Sequence, residues 1–67
     1  MSERQKEIYE YIKSFISEYK YSPSIREIGK AVGLKSPATV HVHLDKMREN
    51  GFIDFANALP RTLRIVS

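Results

Sequence analysis

Three serines and two glycines punctuate this chain so closely that only short helices fit between them. Ser2 with Gln5, and Ser24 with Glu27, each have the form of a capping box, in which a serine hydroxyl and a longer side chain satisfy the first turn reciprocally. Ser36-Pro37 is a third start: the serine can cap, and proline suits a first helical position because it has no N–H to lose. Gly33 and Gly51 stand where helices would end in a left-handed residue, a conformation that costs glycine nothing sterically. Pro23 adds a break by disfavouring helical geometry at Ser22. These signals predict helices over residues 3–19, 25–32 and 37–50.

Hydrophobic spacing agrees with the punctuation. Ile8, Ile12, Phe15, Ile16 and Tyr19 cluster on one face at about 100° per residue, with Glu10, Lys13, Ser14 and Ser17 opposite. Tyr9 and Tyr11 flank that stripe, where a ring can pack while its hydroxyl stays wet. Ile25, Ile28, Ala31 and Val32 give the second helix a short apolar face, and Leu34 can fold back onto it past Gly33. Val40, Leu44 and Met47 form the stripe of the third. After Gly51 the period alternates. Phe52, Ile53 and Phe55 are good strand residues, Ala56-Asn57-Ala58-Leu59-Pro60 reads as a turn, and Leu63 and Ile65 then alternate with Thr62, Arg64 and Val66. Two short strands this close should pair as a hairpin over residues 52–66.

The expected architecture is a single domain over residues 1–67, mainly α within the α+β class: a three-helix winged helix-turn-helix with a C-terminal two-stranded β-hairpin wing. A chain of 67 residues buries only about 60% of its unfolded surface, which leaves little room for a deep enzymatic cleft. At 42% hydrophobic and 28% charged residues it is too apolar for a disordered chain. Cysteine is absent, which removes disulfides and thiolate metal sites and fits a reducing compartment. No apolar run approaches the ~20 residues of a membrane span, and the N-terminus is polar and mixed in charge, unlike a secretion signal. A cytoplasmic setting with no membrane partner is expected.

Eleven Lys and Arg against eight Asp and Glu give a net charge of +3. Residues 1–20 balance Arg4, Lys6, Lys13 and Lys20 against Glu3, Glu7, Glu10 and Glu18, so the whole excess lies after residue 20. That is the part containing the helix-turn-helix and the wing, whose third helix a DNA major groove can admit. On that helix Ala38, Val42, Asp45 and Glu49 lie opposite the apolar stripe. Thr39 and Lys46 flank one edge, and His41 and Arg48 lie nearer the other. The free N-terminal residues Ala38, Thr39, His41 and Val42 include no acid, and Ala38 beside Val42 suits thymine methyl groups. Lys35 and Ser36 at the helix start, with Arg26, Lys30 and Lys46, are candidate phosphate contacts. Arg61 and Arg64 on the hairpin could reach an adjacent phosphate or the minor groove.

At these residues the chain resembles a known family. Arg4-Gln5, the run from Tyr21-Ser22-Pro23-Ser24 through Ile25-Arg26-Glu27-Ile28-Gly29, and Ala31-Val32-Gly33-Leu34 carry the resemblance. Ser36, Thr39-Val40-His41, His43-Leu44, Gly51 and Pro60-Arg61 complete it. Together residues 2–66 look like the DNA-binding domain of the LexA repressors, which control the response to DNA damage. The resemblance implies a third helix that reads each half of an inverted-repeat operator, with base-reading positions at Ser36, Ala38, Thr39, His41 and Val42. Thr39-Val40-His41 matches one branch of the family, whereas Ala38 and Val42 are less usual. LexA proteins continue into a second domain that dimerises and cleaves its own chain with a Ser/Lys pair, and nothing here matches that domain. The resemblance therefore implies a DNA reader without the usual switch, monomeric in isolation and pairing at most on DNA. Part of a longer repressor and a free-standing regulator from a mobile element both remain open.

Other classes find less support. The chain has no G-x-S-x-G, no H-E-x-x-H and no phosphate loop, so no catalytic residues and no cofactor are expected. His41 and His43 would stand about 200° apart on a helix and could not share a metal there. His43 falls at the margin of the buried face, and His41 is spaced to pair with Asp45. A winged helix can also serve as a protein-interaction module, which is the alternative to DNA binding.

Overall fold

The computed structural model describes residues 1–57 and 59–66. Three helices, α1 (Glu3–Tyr19), α2 (Ile25–Val32) and α3 (Pro37–Glu49), precede two strands, β1 (Ile53–Asp54) and β2 (Arg64–Ile65). The order and the antiparallel hairpin are those of a winged helix-turn-helix. No helix among the described residues is long and apolar enough to cross a membrane.

The helix ends follow from local chemistry. The Ser2 hydroxyl accepts from the Gln5 N–H at 3.2 Å. At α2 the box is complete: Ser24 Oγ accepts from the Glu27 N–H, and Glu27 Oε1 accepts from the Ser24 N–H. Gly33 and Gly51 are left-handed, with φ of 75° and 82°. Behind them the N–H groups of Leu34 and Phe52 donate to Gly29 O and Met47 O, closing each helix by a bond across its last turn. The end of α1 has no glycine. Lys20 takes the left-handed role at φ 67°, donating its N–H to Ile16 O and its Nζ to Ser17 O. Both bonds satisfy carbonyls that the helix end would leave open.

The core draws on every element. Ile8 and Ile12 of α1, Ile28 of α2, and Val40, Leu44 and Met47 of α3 are buried, with Ile53 and Leu63 from the hairpin beneath them. Each such side chain contributes roughly 1.5–3 kcal/mol when fully buried. Two residues expected on apolar faces are exposed instead: Ala31, and Tyr19 at 51%. The tight contact on α2 belongs to Gly29, where an added Cβ would lie 2.8 Å from Leu34 O. Tyr19 lies at the surface with its ring tilted against that of Phe15, centroid to centroid at 4.6 Å.

The hairpin is shorter than its alternation suggested. Ile53 faces Ile65 and Asp54 faces Arg64, and one further bond runs from the Val66 N–H to Phe52 O. Beyond Asp54 side chains take over the backbone groups that a longer ladder would pair. Asp54 Oδ1 accepts from the Phe55 N–H, and Thr62 Oγ1 accepts from the Ala56 N–H. Of the expected turn, Ala58 lies outside the described residues.

Candidate nucleic-acid interface

The close approach of Gly29 to Leu34 lets α2 turn sharply into α3. α3 then crosses the domain with Val40, Leu44 and Met47 inward. Ser36, expected to cap it, occupies the N-cap position but makes no side-chain cap bond. The reason lies in the first turn itself. Pro37 has no N–H, and the Thr39 and Val40 N–H groups already donate to Ser36 O at 3.1 and 3.3 Å. Only the Ala38 N–H is left without a protein partner there, among the described residues.

The side chains singled out for base contact are together at this end of α3. Ser36, Ala38, Thr39, His41 and Val42 are all exposed, and Val42 is 54% open although apolar. The first acid on the helix is Asp45, two turns in. His41 Nδ1 lies 3.4 Å from Asp45 Oδ2, and the His41 ring stands edge-on to Phe55 at 6.0 Å. His43 is half-buried whereas His41 is exposed, and no three metal-capable side chains converge among the described residues.

The cations expected to meet phosphates divide into two groups. Arg26, Lys30 and Lys35 are exposed and rim one cleft between α2 and the start of α3, floored by Ile25, Leu34 and Val40. Lys46 is exposed on α3. The two arginines of the hairpin already have partners. Arg61 is left-handed at φ 57°, donates to Ser22 O and Glu27 Oε1 at 3.0 Å each, and lies over the Tyr21 ring at 5.1 Å. Arg64 pairs with Asp54 across the strands at 3.0 Å.

Two features escaped sequence reading. Glu27 is both the N3 residue of the α2 box and the anchor of Arg61, so the wing is fastened to the helix-turn-helix at one carboxylate. Donation from the Ser24 backbone first, then from Arg61, holds the Glu27 carboxyl below the usual carboxylate range. Arg48 is the second. Its guanidinium lies 4.1 Å over Phe55, donates to Phe55 O and Asn57 Oδ1, and reaches Asp45 Oδ1 at 3.4 Å. The i,i+3 spacing of Asp45 and Arg48 was the available signal. The join to residues 55 and 57 was not, because it depends on how the hairpin folds back.

Comparison with known proteins agrees with this geometry. A family model described as the LexA DNA binding domain matches residues 1–62. Over all 67 residues the chain is 49% identical to the LexA repressors of Staphylococcus epidermidis, Staphylococcus haemolyticus and Staphylococcus aureus. It spans 32% of the length of each.

Proposed function

Because this chain belongs to the family of LexA DNA-binding domains, we propose that it binds double-stranded DNA sequence-specifically and acts as the DNA-reading part of a transcriptional repressor. α3 enters the major groove of one half of an inverted-repeat operator. Ser36, Ala38, Thr39, His41 and Val42 face base edges. Arg26, Lys30, Lys35 and Lys46 meet flanking phosphates, while Arg61 and Arg64 approach the backbone from the wing. The role assigned is binding in the cytoplasm, without catalysis or cofactor, within a response to DNA damage such as LexA repressors govern. In this reading the isolated domain is a monomer in dilute solution, and any pairing of two copies takes place on the operator.

The observation that carries this reading is the exposed, acid-free first half of α3, with Ala38 and Val42 open to solvent and three cations along one side of it. An exposed apolar pair on a helix costs nothing where it meets thymine methyls. Fluorescence anisotropy with duplexes selected from a random pool tests it. Affinity should fall log-linearly with salt, and Lys35→Ala should flatten the slope by about one unit. Binding to no duplex even at low salt, with a protein co-purifying instead, would favour the interaction-module reading.

A further inference from the structure

We propose that Asp45 sets the base preference of α3 by fixing which nitrogen of His41 carries the proton. The inference rests on the reading that α3 enters the major groove. A neutral imidazole has one N–H donor and one acceptor nitrogen, and its surroundings choose between the two tautomers. Asp45 Oδ2 lies 3.4 Å from His41 Nδ1, near enough for its charge to favour, in the neutral ring, the tautomer with the proton on that nitrogen. Nε2 is then an acceptor at the exposed edge of the helix.

The surroundings hold this arrangement in place. Asp45 is steadied through its other oxygen by Arg48 at 3.4 Å. Arg48 in turn lies over Phe55, and the His41 ring stands edge-on to that same ring. Arg26 and Arg61 line the groove that His41 shares with the hairpin, and Arg61 is itself paired with Glu27.

An acceptor at Nε2 matches an exocyclic amino group in the major groove, adenine N6 or cytosine N4. It does not match guanine O6 and N7 or thymine O4, which are themselves acceptors. His41 is the group that touches the base, and Asp45 is a positioning residue that acts through it.

The test uses the whole chain and a duplex chosen by selection from random sequence. The position whose preference is lost in His41→Ala is identified first, with a loss of roughly fivefold to hundredfold expected there. That position is then resynthesised with the amino group deleted from its adenine or cytosine, or with N7 of its purine replaced by carbon. Amino deletion should weaken the unsubstituted protein and not His41→Ala. Asp45→Ala should relax preference at the same position only and shift the ¹⁵N resonances of the His41 ring toward a mixture of tautomers. Asp45→Glu, which still reaches one turn back, should restore both. Sensitivity to the N7 change alone would overturn the assignment, as would an Asp45→Ala protein with unchanged ring resonances and unchanged preference. If His41→Ala alters no preference, His41 meets no base and this inference falls, whereas the groove placement falls only if Thr39→Ala combined with His41→Ala also leaves the selected sequence unchanged.

Discussion

α2 and α3 begin on the same kind of residue and end on the same kind, yet their starts are finished in opposite ways. At α2 the Ser24 hydroxyl, the Glu27 carboxylate and the Arg61 guanidinium form a closed set of bonds around the first turn. At α3 the Ser36 hydroxyl leaves the turn alone, and Ala38, Thr39, His41 and Val42 stand open around it. One helix start holds the wing to the scaffold, and the other keeps its side chains open to solvent. A serine before a helix therefore marks a start in both cases, and its bonding separates the closed start from the open one.

The comparison breaks first where the two helices touch. Gly29→Ala would put a Cβ against Leu34 O, and backbone cannot move aside as a flexible side chain can. A loss of roughly 1–3 kcal/mol is expected, read as a lower urea midpoint at unchanged slope. Full retention of stability would mean that the turn has slack the geometry does not suggest. Ser24→Ala should cost about 1 kcal/mol in the same measurement, as loss of a working cap does.

Glu27 sharpens the brace side through pH. Its folded carboxyl titrates below the usual range, so its contribution is complete above the unfolded carboxylate value and is lost as pH falls through the lower folded one. Glu27→Gln should remove that part of the acid limb from a pH series of thermal unfolding, whereas an unchanged limb would detach Glu27 from the brace. On the reader side, Ser36→Ala should change stability by no more than about 0.5 kcal/mol, as surface substitutions do, while weakening operator binding. The smallest effect is expected at Ser22, whose buried hydroxyl has no partner among the described residues. Ser22→Ala should be neutral or slightly stabilising, since it removes a desolvated polar atom without breaking a bond.

Helix bounds were legible because capping and left-handed closure are local chemistry, written within a few residues. Gly33 and Gly51 announced their ends, but Lys20 did not, since a left-handed lysine is selected by its bonds to Ile16 and Ser17 rather than by its type. The exposed face of α3 could be read from periodicity alone. The bonding of Arg48 and Arg61 could not, because their partners at Phe55, Asn57, Ser22 and Glu27 come near only after the hairpin closes. Ala31 was misread for a related reason. On a helix of eight residues, one position more or less decides which small residue meets the neighbouring chain, and here it is Gly29.

A double substitution tests most directly whether the first half of α3 is the surface that reads DNA. Thr39→Ala combined with His41→Ala leaves the buried stripe and the α2 box untouched. Sites selected by this protein and by the unsubstituted one from the same random pool should differ. Base preference should relax at the positions those side chains face, by an amount on the order of 1–3 kcal/mol per contact, while the salt slope stays the same. An unchanged selected sequence would place the reading surface elsewhere.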